Sequence, residues 1–234
     1  MNIGFIILTR TDSRRLKNKA LKFVHKKKRL TDIVFENVLK TFSKEFQIIL
    51  STTKRDIDNR LIRHTKKNYK NIKTFRGNYS NVAKRFLKTM EKFDLDYAVR
   101  VNGDSPFLDM KIIKKNLTFL KKKKYDIITN IYQRKYPMGK SVEVISYKLL
   151  KKYINKISLS KIDAENVTSF FYKKNNFKKI FSKNITINQN FSSINLSVDN
   201  KKDLDFLKSV LKKKYKPNFL ELIKLRNKFD EKNK

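Results

Sequence analysis

Asp104 closes an apolar run of strand length, residues 96–101, and sits in the segment Arg100-Val101-Asn102-Gly103-Asp104-Ser105-Pro106. In an open α/β sheet, ligands bind in the crevice beyond the carboxyl ends of the strands. A carboxylate placed there is a natural ligand for Mg²⁺ carrying a nucleotide's phosphates. A second constellation follows the first apolar run, where Arg10, Arg14, Arg15, Lys17 and Lys19 are interspersed with Thr11 and Ser13. Cations beside hydroxyl and backbone donors at a strand end can cradle a triphosphate and neutralise the charge that grows as pyrophosphate leaves. The loop contains no glycine, so it is neither a Walker loop nor a dinucleotide fingerprint.

Most of these groups also have a structural reading. Asp104, ahead of Ser105-Pro106, can bond to its own turn. Asp199 can cap a helix that starts near Lys201, and Arg100 can serve as an ion-pair partner within the sheet. Glu143 alternates with Val142 and Val144, so it lies on the opposite strand face, toward a sugar or toward solvent. His25 and His64 lie among polar residues and read as solvated.

A formal net charge of +37 on 234 residues points at first to nucleic acid or an anionic membrane surface. The excess is nearly all lysine, however, and it accompanies abundant asparagine, isoleucine and phenylalanine, no tryptophan or cysteine, four glycines and three prolines. That is the signature of an AT-rich genome, and the charge reads as drift on a solvated surface. Aromatic residues are not interleaved with the lysine runs at 26–29 and 121–124, as a stacking platform for single strands requires. A nucleic-acid-binding protein, with steeply salt-dependent affinity, stays as the alternative of a different class. The same bias makes the scarce residues informative: Gly77, Gly103, Gly139, Pro106 and Pro137 fall in three short clusters that follow or adjoin strand-like runs.

Strand and helix patterns alternate through much of the chain. Residues 3–9, 46–52, 72–75, 96–101 and 125–130 read as buried strands. Between them lie helices capped by Thr31, covering 55–66, opened by Ser80, and capped by Asp109 and running to about 123. Such alternation predicts a mostly parallel sheet with helices on both faces. The crossovers then place Arg10, Thr52, Arg76 and Asp104 along one edge. Residues 131–190 break the pattern, with a strand at 141–145, helices at 146–155 and 163–175, and a strand near 177–182. A buried strand at 194–198 and helices at 201–213 and 219–228 close the chain. Length and apolar content fit one α/β domain over residues 1–234, with a middle segment at about 134–190 inserted or appended. There are no disulfides or thiolate sites. No apolar run is long enough to span a membrane. The N-terminal apolar stretch is too short for a signal peptide, so a cytoplasmic protein is expected.

Six elements in order resemble the CMP-sugar-acid synthetases, the acylneuraminate and CMP-Kdo type cytidylyltransferases, and are most similar to their spore-coat polysaccharide branch. Arg10, Ser13, Arg15, Leu16 and Lys19 resemble the N-terminal R-x-x-S-x-R-L-P-G-K loop, and Arg76-Gly77 the R-G-s element. Residues 99–107 resemble v-R-i-t-g-D-c-P-l, and residues 136–144 resemble y-P-x-G-l-d-v-E-v. Glu165-Asn166-Val167-Thr168 resembles E-H-V-T, and Leu196-Ser197-Val198-Asp199 with Asp203-Leu204 resembles l-t-v-D-t-x-x-D-l.

The resemblance implies a three-layer nucleotide-diphospho-sugar transferase-like (Rossmann-like) α/β fold, often homodimeric. It implies transfer of CMP from CTP to the anomeric hydroxyl of an acidic sugar, with release of pyrophosphate. Arg10, Arg15 and Lys19 would hold the phosphates, and Asp104 and Asp199 would ligate Mg²⁺. Arg10, Lys19 and Asp104 are the catalytic candidates. Arg10, Ser13, Arg15, Lys19, Thr52, Arg76, Arg100, Gly139, Glu143 and Asn166 are the substrate-binding ones. The middle segment would meet the acceptor or a second subunit, and another nucleotidyl- or glycosyl-transferase on the same fold is the nearby alternative. Three departures stand out. Lys17-Asn18 replaces Pro-Gly, which predicts a less constrained loop. Asn166 replaces a histidine and can donate a hydrogen bond but not carry charge. Lys140-Ser141 replaces l-d, removing a carboxylate.

Overall fold

The computed structural model describes residues 1–13, 15–173, 176–213 and 216–233. In chain order the strands are β1 Ile3–Leu8, β2 Phe23–His25, β3 Lys28–Arg29, β4 Gln47–Thr53, β5 Ile72–Gly77, β6 Tyr97–Asn102, β7 Ile127–Thr129, β8 Glu143–Ser146 and β9 Ser182–Asn184. The helices are α1 Leu30–Phe42, α2 Asn59–Asn68, α3 Val82–Lys92, α4 Met110–Lys122, α5 Tyr147–Ser158, α6 Lys161–Asn166, α7 Lys201–Leu211 and α8 Phe219–Lys232. Seven strands form one sheet in the order β5-β4-β1-β6-β8-β7-β9. The first four run parallel, and β8 alone is antiparallel, to both β6 and β7.

Alternation along the strands divides the core. Phe5, Ile7, Leu50, Val99 and Val101 face α1, α2 and α4, whose Val34, Val38, Leu61, Ile113 and Leu117 complete one layer. Ile6, Ile49, Ala98, Ile127 and Ile145 face α3 and α5, where Phe86, Met90, Leu149 and Leu150 complete the other. β1, β4 and β6 are buried on both faces, as the middle of a sheet sandwiched between helices requires, and they therefore read as nearly continuous apolar runs. Beyond the strand ends, α7 packs Leu204 and Leu207 against Leu16, Val24 and Leu30, and α8 adds Leu222 and Ile223 beside Phe206. Among the described residues no helix is long and apolar enough to cross a membrane.

The structure revises several local expectations. Thr31 does not cap α1: Asp32 accepts the Arg29 N–H at 2.8 Å, and the Thr31 hydroxyl donates to the Ala20 carbonyl. Asn81, not Ser80, caps α3. The helix expected at 163–175 is the short α6, which stops at Val167 (φ 66°) and gives way to a 3₁₀ turn at Ser169–Tyr172. That turn swings Thr168 and Tyr172 onto Glu143, and residues 174–175 lie outside the described residues. Phe177, expected in a strand, stacks on Tyr132 at 4.1 Å in another 3₁₀ turn, and the strand forms later as β9. Residues 194–198 are not a strand. They form a single bridge to Met138, because their backbone backs onto the Gly139 turn (φ 84°) and pairs with nothing longer. The β2–β3 hairpin carries no signal strong enough to read in advance.

His64 is not solvated. Its Nε2 lies 2.6 Å from the buried Asp32, and its ring packs edge-on against Tyr69.

Candidate active site

Asp104 lies just past β6, in a turn held against the end of β1. The Gly103 N–H donates to the Leu8 carbonyl at 2.9 Å. A Cβ on Gly103 would sit 2.4 Å from that of Thr9, so only glycine lets the two strand ends approach this closely. Asp199 follows the extended segment that passes beside this turn, and the Val198 N–H donates to the Asp104 carbonyl at 2.9 Å. One backbone bond thus fixes the spacing of two carboxylates that are 95 residues apart in the chain.

Lys19 joins them. Its ammonium lies 2.8 Å from Asp104 and 3.3 Å from Asp199. Arg15 adds a contact to Asp199 at 2.9 Å from the solvent side. The Ser197 hydroxyl donates to the second oxygen of Asp199 at 3.0 Å. Asp199 does not cap α7; that role falls to Asn200, with Asp203 reaching back to the Asn200 N–H.

The first loop is anchored from beneath by a residue that sequence reasoning missed. Asp58 is buried and accepts from the Thr11 N–H at 2.7 Å and from the hydroxyls of Thr11 and Thr53. The Arg10 and Arg55 guanidinium groups both lie over the Tyr79 ring, at 4.8 and 4.5 Å. Arg55 and Tyr79 bond to Asp12, and the Arg55 hydrogen bond above all holds the Asp12 carboxyl below the usual range. Arg10 also approaches Glu165 at 3.9 Å, tying the loop to α6. Ser13 is half-buried, and Arg14 lies outside the described residues.

Arg100 and Glu143 are cross-strand partners on β6 and β8, joined at 2.5 Å. Glu143 therefore faces neither solvent nor an open pocket. It is 1 % exposed and accepts from Arg100, Thr168 and Tyr172. Burial, reinforced by Glu143, pushes the Tyr172 phenol well up. The Arg100 Nε is buried without a partner among the described residues. Arg134, which carried no sequence signal, stands half-buried nearby and donates to Ser141 at 3.1 Å. Burial lowers its guanidinium, against the pull of Glu143.

Other expected contacts fall elsewhere. All three nitrogens of Arg76 are used within the fold, on the carbonyls of Thr53 and Arg55 and on Asn59, so it braces the β4–α2 connection rather than reaching into the cleft. Thr52 is fully buried, and its hydroxyl has no partner among the described residues. The Asn166 amide is exposed and donates to Ile162 within its own helix. Lys140 is turned inward onto Asp109 at 3.8 Å and the Phe219 ring, and burial lowers its ammonium.

The family model described as cytidylyltransferase matches residues 4–226. The spore coat polysaccharide biosynthesis protein SpsF of Bacillus subtilis is 27% identical over 223 residues, covering 91% of this chain and 87% of that protein. Among solved structures, a cytidylyltransferase from Leptospira borgpetersenii serovar Hardjo-bovis superposes with a TM-score of 0.83 at 24% identity, covering 100% of this chain and 95% of that one. A CMP:2-keto-3-deoxy-manno-octonic acid synthetase complexed with CTP superposes with a TM-score of 0.66 at 14% identity, covering 90% and 98% of the two chains.

Proposed function

The chain belongs to the cytidylyltransferase family, and within it we propose that the protein transfers CMP from CTP to the anomeric hydroxyl of an acidic sugar for surface-polysaccharide or glycan synthesis. The observation that carries this reading is the meeting of Lys19, Asp104, Asp199 and Arg15 at one strand edge. The role of SpsF in spore coat polysaccharide biosynthesis supports the glycan assignment, and the CMP-octonic acid synthetase with its bound CTP supports the nucleotide and the acidic acceptor.

In the reaction, the anomeric oxygen forms a bond to the α-phosphorus and the bond from that phosphorus to the β-phosphate oxygen breaks. The hydroxyl proton goes to solvent and pyrophosphate departs. Little covalent help is needed, so the protein's work is positioning and charge stabilisation. Lys19, Arg15 and Arg10 meet the phosphates, Arg10 being steadied by Tyr79 and Glu165. Arg100 and Arg134 offer positive charge to the acid group of the sugar, since Glu143 already answers one of them.

Asp104 and Asp199 suit Mg²⁺, which takes oxygen ligands, binds through one or two carboxylates and keeps the rest of its shell for phosphate and water. Among the described residues no third acid joins them. When bound, the ion neutralises phosphate charge and orients the leaving group. A homodimer with contacts from the middle segment belongs to the same proposal. Leu159 and Ile162, 88% and 69% exposed, are the apolar side chains such a contact would cover. The test is pyrophosphate release with CTP, Mg²⁺ and a panel of sugar acids. Release with at least one acid is expected; no release with any, together with no CTP binding, refutes the proposal.

A further inference from the structure

A cavity of about 710 Å³ opens between β5, the edge strand of the sheet, and the outer face of α3. Its wall is strongly cationic. Lys54, Lys84, Lys88, Lys92 and Arg85 line it against a single acid, Glu91, which Lys88 and Tyr147 already hold at 2.7 and 3.3 Å. In so lysine-rich a chain, exposed ammonium groups alone carry no weight.

Arg85 is different. It is 3% exposed, its Nε has no partner, and among the described residues no carboxylate pairs with it. One terminal nitrogen donates to the Asn78 carbonyl. Burial lowers the guanidinium to about 10 and repulsion from Arg10 adds to the effect, while the buried Asp58, which forms no ion pair with it among the described residues, pulls the other way. A buried charge is costly unless it is both paired and hydrogen-bonded, and the oxygens of Asp58 are already taken by Thr11 and Thr53. The position also looks built: Gly77 leaves the room in which the Arg85 stem lies, since a Cβ there would meet Arg85 Cγ at 2.8 Å. Arginine and glycine are both scarce in this composition, and here they are packed together.

An anion held by Arg85 would be distinct from a group bound at Lys19. β5 stands three places from β6 in the sheet, so the cavity lies about 14 Å from the Asp104 turn at the usual strand spacing. We propose that the β5–α3 cavity is a second anion site, which takes a phosphoryl group on the Arg85 guanidinium with Lys54, Lys84 and Lys92 around it. The guanidinium fork suits two oxygens of one phosphoryl group, and the ammonium rim suits its remaining charge.

The experiment is calorimetric titration of inorganic pyrophosphate, and separately of CMP, into the full chain without Mg²⁺. The proteins compared are wild type, Lys19→Met, Arg85→Met, and the triple variant Lys54→Ala/Lys84→Ala/Lys92→Ala, whose three positions are all exposed. Lys19→Met should retain a pyrophosphate site, whereas Arg85→Met and the triple variant should bind there about tenfold more weakly or worse, the value of a charged hydrogen bond or more. Tighter binding of pyrophosphate than of CMP assigns the site to a free phosphoryl anion, and the reverse order assigns it to a phosphomonoester. The proposal is overturned if Lys19→Met abolishes all pyrophosphate binding, or if the triple variant binds as wild type does. The titration uses neither metal nor sugar, so its failure leaves the proposed reaction standing.

Discussion

Replacing Lys19 by methionine removes the cation that now lies between two carboxylates while keeping much of its stem. A unit pair about 4 Å apart near a protein surface attracts by about 4 kcal/mol before desolvation. The side chains of Asp104 and Asp199 keep 30% and 20% exposure, so solvent screening and desolvation cut the net coupling to about 1–2 kcal/mol in all. Two consequences have opposite signs. The metal-free variant should lose that coupling, lowering Tm by about 2–8 °C for a chain of this size. Mg²⁺ should bind the nucleotide-free variant about tenfold more tightly, because it no longer has to expel an ammonium, and tenfold is about 1.4 kcal/mol. Turnover should nevertheless fall by about 10²–10³-fold, since a cation aimed at developing phosphate charge is lost. Titration of MgCl₂ into both proteins, melts in EDTA, and pyrophosphate release measure the three effects. Equal or weaker Mg²⁺ affinity in Lys19→Met, with turnover within about twofold of wild type, would refute the idea that this ammonium holds the seat.

Gly103→Ala should cost about 1–3 kcal/mol through its clash with Thr9 and displace Asp104; adding Thr9→Gly should restore pyrophosphate release, and failure to do so would mean the close approach is not what matters. Asn18→Gly should leave melting and turnover unchanged, whereas Asn18→Ala should lose about 1 kcal/mol, because φ at this position is 54°. The Tyr172 phenol, raised in the fold by burial and Glu143, keeps its proton after the unfolded chain has released it. Its contribution to stability is therefore full below the unfolded value and declines as pH rises beyond about 10. Wild type should lose stability over that alkaline range more steeply than Tyr172→Phe, and parallel pH curves would contradict the burial of this phenol.

The central sheet was readable because β1, β4 and β6 are buried on both faces and so appear as apolar runs separated by helical patterns, whereas the edge strand β5 is only partly covered. Asp104 and Asp199 were legible only because motif order linked them; no local spacing reveals that Val198 pairs with the Asp104 carbonyl. Where side chains outweigh pattern, the reading failed. Residues 163–175 are apolar and polar at helical intervals, yet Thr168 and Tyr172 leave the helix to satisfy the one oxygen of the buried Glu143 that Arg100 does not meet. Arg76 matched its motif, but its guanidinium serves backbone carbonyls, which sequence cannot show. Asp58 and His64 were missed for the converse reason: acids and imidazoles in a polar stretch look solvated until the neighbouring element covers them. Arg85 did leave a trace, as a rare arginine eight residues after a rare glycine.

The first loop shows how a site can keep its geometry after losing the residues that usually set it. Without Pro-Gly, the turn before Lys19 should be loose, but Asn18 adopts the left-handed conformation itself, as asparagine tolerates better than other side-chain-bearing residues. The Lys19 N–H donates to the Leu16 carbonyl at 3.0 Å, and Leu16 is buried under α7. At the other end, Asp58 grips Thr11 through both backbone and hydroxyl. The loop is thus pinned at Thr11 and Leu16, and its cations inherit their positions from those two anchors. Rigidity comes here from burial and hydrogen bonding around the loop rather than from restricted residues within it. A basic surface that has drifted freely is compatible with this arrangement, because the groups that place Lys19 are an acid, a leucine and an asparagine, and none of them depends on net charge.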